Sequence, residues 1–177
     1  VFYNKDIFRQ NHVQFPQDDW TFDDFLNIAK KVTNNGIFGI SFEEDVLFYL
    51  PYLMSEGGGV LSDDLSRLIL NDEASQRGLN FYADLRKKHH VAPLKYESAS
   101  ATMAQMFLQQ KLAMQVSGRW LVPKYRTSAD FDWDIINFPS GKSGSIVQMD
   151  SSGWAVSKAS KNKKDAIKFI QYLSEYG

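Results

Sequence analysis

The sequence predicts an α/β fold with a mixed sheet flanked by helices, and three observations support this. Amphipathic helical segments alternate along the chain with short apolar runs of strand length. No internal repeat, low-complexity run or linker divides the 177 residues, so they form one domain, long enough to bury about 70% of the unfolded surface. The composition, 44% hydrophobic and 23% charged, is that of an ordinary globular protein.

Composition also excludes several classes of partner. The net charge of −1 gives no electrostatic attraction for nucleic acid or an anionic membrane, so neither is expected as a partner. No apolar run approaches the roughly 20 residues that span a bilayer, so we expect neither a membrane-spanning helix nor a signal peptide within these residues. The chain contains no cysteine, which removes disulfides, zinc–thiolate sites and thiol nucleophiles.

The first part of the chain predicts two capped helices. Residues 1–3 end a strand, and Asn4 caps a short helix over 5–10. Thr21 begins the next helix with Asp24 in a near-capping box. Trp20 precedes that cap as one half of a hydrophobic staple, so we expect it to be structural. The helix has one apolar face, formed by Phe22, Phe25, Leu26, Ala29 and Val32.

The middle of the chain predicts a strand over 37–41, a helix over 43–56 and a Gly-rich turn over 57–59. Pro51 fits this helix only near its first turn and otherwise kinks it. The glycines lack the spacing of a dinucleotide loop. Residues 68–70 are expected to form a strand, and Asn71 to cap a helix that runs to about residue 88. Gly78 lies inside this helix, at a cost of about 1 kcal/mol relative to Ala.

A helix over 98–109 is expected to lead into the apolar strand that ends at Ser117 and Gly118. If a helix follows at once, Arg119 and Trp120 lie on its first turn, at the mouth of a sheet. Open α/β proteins bind ligands at such junctions. The indole offers a flat apolar face to a sugar ring and an N–H to a hydroxyl. The alternative is that Trp120 packs a helix on the sheet as a core residue.

The last part of the chain predicts strands over 134–137 and 154–156 and a final helix opened by Asn162. The loop between these strands contains Asp150 and Ser151, which form either a polar rim with Ser152 and Gly153 or an ordinary turn. The apolar stripe of the final helix comprises Ala166, Phe169, Ile170 and Leu173.

Motifs for catalysis or cofactor binding are weak, so the sequence predicts no cofactor, no metal and no enzymatic activity. The histidines, at 12, 89 and 90, do not form a metal motif. Gly141-Lys142-Ser143 lacks the first glycine of a phosphate-binding loop, because Ile136 occupies its place. No G-x-S-x-G motif is present. Paired acidic residues mostly mark helix starts and turns, but a carboxylate within 43–45 could accept hydrogen bonds from sugar hydroxyls.

Several segments together resemble one family. YNKDIF, DDWTFDDFLNIAKKVT, the Gly57-Gly58 turn, LNFYADL, FLQQKLAMQVSGRW and SSGWAVSKASKNKKDAIKFIQYLS occur in that order. They are similar to motifs of the family 1 extracellular solute-binding proteins, the sugar-binding components of ABC importers. The similarity extends over nearly the whole chain.

The resemblance implies that residues 1–177 are the C-terminal lobe of a two-lobed protein with the periplasmic-binding type II fold. The N-terminal lobe would then be absent from this chain, as would a signal peptide and lipid-anchoring cysteine. Such proteins hold a sugar or oligosaccharide between their lobes, close by a hinge motion and deliver it to the membrane subunits of the transporter. We expect a monomer at the extracellular face of the membrane or in the periplasm.

The resemblance also implies ligand-binding positions. Trp120 matches the tryptophan that stacks on the sugar, Gly118 gives it backbone room, and Arg119 lies where the family varies and helps to choose the ligand. Gln110 replaces a family glycine, so that turn must differ or use another residue in the left-handed region. The other positions implied as ligand contacts are Asp45, Phe48, Asp150 and Ser151.

Two alternative functions remain open. One is a carbohydrate-active enzyme domain that uses Glu43 or Asp45, since glycoside hydrolysis needs two carboxylates across a cleft. The other is a lobe of the same fold that binds a solute other than sugar, in which Arg119 meets an anionic group.

Overall fold

The computed structural model describes residues 1–98, 100–149 and 151–176, which form four strands and seven α-helices. A short 3₁₀ turn, Arg119–Leu121, precedes the sixth helix. In chain order the elements are β1 Phe2–Asn4, α1 Lys5–Gln10, α2 Phe22–Val32, β2 Phe38–Ile40, α3 Val46–Ser55, α4 Glu73–Lys87, α5 Met103–Leu108, β3 Leu112–Gln115, α6 Val122–Ser128, β4 Trp133–Ile135 and α7 Lys163–Tyr176.

The four strands form one mixed sheet in the order β2-β3-β1-β4. β2 and β3 are parallel, with Phe38 opposite Leu112 and Ile40 opposite Met114. β1 is antiparallel to both β3 and β4. β3 is buried along its whole length, as expected for an interior strand covered on both faces. The predicted α/β class with a mixed sheet is confirmed.

Two apolar clusters make up the core, and both include residues of the sheet. Tyr3 and Ala113 belong to the larger cluster, formed with α1, α2, α3 and α4. Phe2 and Leu112 belong to the smaller one, formed with α5 and α6. Aromatic residues make up 14% of the chain, and most of them are packed in these two clusters.

The caps predicted for the first two helices are present. The side chain of Asn4 accepts hydrogen bonds from the backbone N–H groups of Asp6 and Ile7 at 2.9 and 3.0 Å. Thr21 and Asp24 form a complete capping box. Trp20 is buried, packs edge-on against Phe25 at 5.5 Å and donates its indole N–H to the carbonyl of Asn137. Its expected structural role is confirmed.

The α3–α4 pair is packed more closely than the sequence indicates. α3 begins at Val46 rather than residue 43, because Asp45 is its N-cap. Pro51 lies beyond the first turn of α3, and the helix continues through it to Ser55. Gly78 faces α3 so tightly that a Cβ added there would lie 2.4 Å from the carbonyl oxygen of Tyr52. This glycine therefore permits close helix packing.

Several predicted elements are shorter or absent. Residues 68–70 form no strand, only a single bridge between Leu61 and Leu68. α4 is capped at Asp72 rather than Asn71, and the Asp72 carboxylate pairs instead with Arg67. α5 begins at Met103 because Thr102 and Gln105 form a capping box there. The strand predicted over 134–137 is β4, which begins one residue earlier and ends two residues earlier.

The final segment lies outside the sheet. The strand predicted over 154–156 is absent because no neighbouring strand pairs with it, and Trp154 is 72% exposed. α7 follows Asn162 as predicted, but its apolar stripe is not fully buried: Phe169 is 62% exposed, and Ala166, Ile170 and Leu173 are partly buried. Within the described residues, α7 has no extensive contact with another helix or strand.

The turn before β3 uses a strained residue. Gln110 has φ = 57°, the left-handed conformation that favours glycine. The family motif has a glycine at this position. Here the turn is kept, and Gln110 itself adopts the left-handed conformation.

A pair of core tyrosines provides a test of the core. The Tyr52 hydroxyl is buried and has no hydrogen-bond partner among the described residues. By contrast, the Tyr82 hydroxyl donates to the carbonyl of Glu43 and accepts from its N–H. We expect Tyr52→Phe to raise the free energy of unfolding by up to about 1 kcal/mol and Tyr82→Phe to lower it by about 1–2 kcal/mol. Urea unfolding measures both, and equal effects of the two changes would contradict this assignment.

Candidate functional site

The candidate site lies where the two parallel strands end. β2 and β3 have their carboxyl ends at the same edge of the sheet, the position at which open α/β proteins bind ligands. Beyond these ends the backbones stay joined: Ser41 donates its N–H to the carbonyl of Met114 at 3.0 Å, and its hydroxyl accepts from the N–H of Val116 at 3.1 Å. The segment after β3 is therefore held firmly as it turns towards Trp120.

Trp120 lies in the 3₁₀ turn after β3 and is 62% exposed. Its indole passes directly over Gly118, where an added Cβ would lie 1.9 Å from Cζ3 of the ring. The alternative that Trp120 is a core residue is wrong. The absence of a side chain at Gly118 lets the ring lie flat against the backbone, with much of its surface in solvent.

One cleft brings several predicted residues together. It has a volume of about 510 Å³ and contains Trp120, Arg119 and Gly118 from the turn, together with Phe48 from α3. The remaining lining residues, which we include under the name "the cleft", are Val1, Leu47, Pro51, Val116, Ser117, Asn137, Phe138, Val147, Gln148 and Met149. Its walls combine apolar and aromatic surface with a few polar groups, which is typical of small-molecule sites.

The α3 wall of the cleft depends on Pro51. A proline has no N–H, so the carbonyl four residues earlier in a helix loses its usual donor. Here that carbonyl belongs to Leu47, and the side-chain amide of Gln148 donates to it. The other end of the amide, Oε1 of Gln148, is buried without a hydrogen-bond partner among the described residues.

Three residues predicted to contact the ligand are not found in the cleft. Two of them lie away from it, and the third lies outside the described residues. Asp45 is exposed, and its carboxylate accepts the N–H of Leu47 at 3.0 Å as the N-cap of α3. Ser151 is exposed and does not line the cleft. Asp150 lies outside the described residues. Their predicted contacts with a ligand remain predictions.

Glu43 lies just past β2 in a smaller groove of about 290 Å³, beside Phe42 and Tyr82. Burial and the nearby Asp45 carboxylate raise the pKa of Glu43 above its ordinary value. The rings of Phe42 and Tyr82 stack with their centroids 4.3 Å apart. The Arg86 guanidinium lies over the Phe42 ring, 3.8 Å from its centroid. Glu43 and Asp45 do not line the cleft, so no pair of carboxylates faces Trp120 within the described part of the chain.

Arg119 is exposed at the rim of the cleft and forms no ion pair with any described residue. Over the described ranges, no group of three or more His, Asp or Glu residues could hold a metal ion. Among the described residues that line the cleft, Arg119 is the one with a charged side chain, and a guanidinium is suited to hydroxyl or anionic groups.

A second groove of similar size, about 550 Å³, lies on the surface beside α2. His12, Phe15, Asp19 and Lys31 are among its lining residues. Neither β2 nor β3 contributes a residue to it. Strand-end geometry therefore favours the cleft beside Trp120.

Sequence reasoning missed the wall formed by Val147, Gln148 and Met149. These residues follow a Gly/Ser-rich loop, and no periodic pattern marks them. A proline inside an apolar helix was the available signal, because it leaves a carbonyl that some donor must satisfy.

In the described residues, no helix combines the length and apolar character needed to cross a bilayer.

Comparison with known proteins gives consistent matches along the whole chain. Residues 1–176 match the family described as "Bacterial extracellular solute-binding protein". A protein of Streptomyces antibioticus, described as an uncharacterized lipoprotein in the oleD 5′ region, is 24% identical over 166 residues, which are 89% of this chain and 37% of that protein.

Solved structures match the fold closely. The ABC substrate-binding protein Lmo0181 of Listeria monocytogenes, in complex with cycloalternan, is 25% identical with a TM-score of 0.85. An ABC transporter solute-binding protein of Thermotoga lettingae, bound to α-D-tagatose, is 27% identical with a TM-score of 0.80. Each match covers 98% of this chain but only 45% and 46% of the other protein. The chain thus spans less than half the length of these relatives.

Proposed function

The chain belongs to the bacterial extracellular solute-binding protein family, and we propose that it is one lobe of a receptor that binds a sugar or oligosaccharide for import by an ABC transporter. The observation that carries the proposal is the exposed indole of Trp120, laid over Gly118 at the ends of two parallel strands. A flat apolar face beside polar groups is suited to a sugar ring, which carries C–H bonds on its faces and hydroxyls at its edge.

The two-lobed architecture is part of the proposal. The similar structures are about twice as long as this chain, and on α7 the side chain of Phe169 is 62% exposed. A second lobe would face the open cleft and complete it. A ligand that contacts both lobes only when they are closed favours the closed state, and that state presents a distinct surface to the membrane subunits.

Family membership and the names of the relatives support a binding role without catalysis, at the outer face of the membrane or in the periplasm. One relative is described as a lipoprotein. Against the glycosidase alternative, Asp45 is engaged as a helix cap and Glu43 lies in a different groove.

A ligand screen on the complete two-lobed protein tests this function. The probes are α-D-tagatose, cycloalternan and a set of neutral oligosaccharides, with thermal unfolding as the measurement. A true ligand at 100-fold excess over its Kd raises the free energy of unfolding by about 2.7 kcal/mol. We expect such a shift for at least one neutral sugar, with no new products by chromatography. Products would support the enzyme alternative, and no shift with any sugar would exclude sugar binding.

The exposed position of Arg119, without a described counterion, gives a reason to test a second candidate. A lobe of the same fold that binds an anionic solute would use this guanidinium. The same screen with sugar acids and sugar phosphates separates the two, since only an anionic ligand would lose most of its affinity in Arg119→Gln.

A further inference from the structure

The segment from Ser143 to Gln148 is attached along α3 by a series of hydrogen bonds. The N–H of Ser143 donates to the carbonyl of Ser55 at 2.7 Å. The Ser55 hydroxyl donates to the carbonyl of Ile146 and accepts from its N–H, at 3.1 and 3.0 Å. Farther along, the amide of Gln148 donates to the carbonyl of Leu47. Gln148 makes the attachment nearest the end of this segment.

The last attachment is unusual because of its acceptor. In an uninterrupted α-helix, the carbonyl of Leu47 would accept the backbone N–H of residue 51. Pro51 has no such group, so the carbonyl is available to a side chain from outside the helix. Leu47, Pro51 and Gln148 all line the cleft, which places this contact in the wall of the candidate site.

We infer that Gln148 is a positioning residue for the cleft, and that its bond to the carbonyl left free by Pro51 sets where Val147 and Met149 lie relative to Trp120. Val147 is 59% exposed and Met149 96%, so packing alone does little to hold either of them. Oε1 of Gln148 is unpaired among the described residues. The single amide bond therefore supplies most of the directional restraint at this end of the segment.

The inference rests on the proposed function, because it assigns Gln148 to the binding cleft. It does not depend on which sugar is bound. It also gives Pro51 a role: a proline within a helix frees an acceptor at one wall of the site, and the neighbouring segment uses it.

The test combines Gln148→Met, Pro51→Ala and the double variant in the complete protein. In Gln148→Met the Leu47 carbonyl is left without a donor, so the unfolding equilibrium constant should rise about tenfold. In the double variant the new N–H of residue 51 bonds this carbonyl within the helix, and stability should return. Affinity for the sugar identified by the screen should fall about tenfold in all three variants, because none retains the Gln148–Leu47 bond. A purely structural role would restore affinity together with stability.

Hydrogen exchange in the ligand-free protein gives a second, independent measurement. Peptides covering 145–149 should exchange at least fivefold faster in Gln148→Met and in Pro51→Ala than in the unmodified protein. If they do not, the inference is overturned whether or not any sugar binds. If a sugar binds the unmodified protein and Gln148→Met binds it equally well, the inference is also overturned. Absence of sugar binding to the unmodified protein counts against the proposed function, while the exchange rates still decide the positioning role.

Ser55→Ala is the matched control. It removes the neighbouring attachment of the same segment but leaves the Leu47–Gln148 bond in place. Its loss of stability should not be recovered by Pro51→Ala. Recovery in that background would show that Pro51→Ala acts by general helix stabilisation and would overturn the inference.

Discussion

Replacing Trp120 with alanine is expected to weaken sugar binding roughly 30-fold or more, about 2 kcal/mol, in the complete protein. The indole is a strongly exposed aromatic surface in the cleft, whereas Phe48 is partly buried and Phe138 is buried, and a bound sugar ring would cover it. Because the ring is mostly in solvent before binding, its removal should leave the free energy of unfolding within about 0.5 kcal/mol of its original value. Calorimetric titration and urea unfolding measure the two effects separately.

Two further variants make this result specific. Gly118→Ala keeps the indole but displaces it, because the new Cβ would overlap the ring, so affinity should fall to a similar extent. Tyr96→Ala removes another strongly exposed aromatic ring that does not line the cleft, and affinity should not change. Unaltered binding by Trp120→Ala would remove this residue from the site.

Replacing Gly78 with alanine is expected to destabilise the protein by about 1–3 kcal/mol, although alanine is the better helix former. Helix propensity alone favours Gly78→Ala by about 1 kcal/mol. However, the added Cβ would lie 2.4 Å from the Tyr52 carbonyl oxygen and 2.6 Å from Cα of Leu53. Both are backbone atoms of α3, so they can move only if the helices separate. The cost of overpacking therefore exceeds the gain in propensity.

Asn80→Ala serves as the control for that change. Asn80 is exposed on the same helix two residues later, so alanine there should stabilise by a few tenths of a kcal/mol. Opposite signs for the two substitutions in urea unfolding would establish the close contact of α3 and α4. Stabilisation by both would contradict it.

Local signals predicted local structure well. The caps at Asn4 and Thr21 were readable because each depends on residues within one turn of the other. The junction after β3 was readable for the same reason, since an apolar strand is followed directly by Gly118, Arg119 and Trp120. The exposure of Trp120 was not readable, because a tryptophan at a helix start is compatible with both core and surface.

Features that depend on distant parts of the chain were not predicted. From the sequence, Gly78 is expected only to destabilise its helix. Its role in close packing depends on backbone atoms of α3, which are distant in sequence. Pro51 was expected to need the first turn or to kink the helix, and its effect depends on a donor almost 100 residues later, in Gln148. The strand expected over 154–156 has suitable residues, but a strand also needs a partner and none is available among the described residues.

The limited packing of α7 has a consequence for its own stability. A helix of 14 residues is near the length at which helices without tertiary contacts are only marginally formed in water. Its amide groups should therefore open far more often than those of α2 or α4, which are held in the core. Burial of Phe169 and Ile167 against another surface would slow that opening, so the helical circular dichroism signal should increase when these side chains are covered.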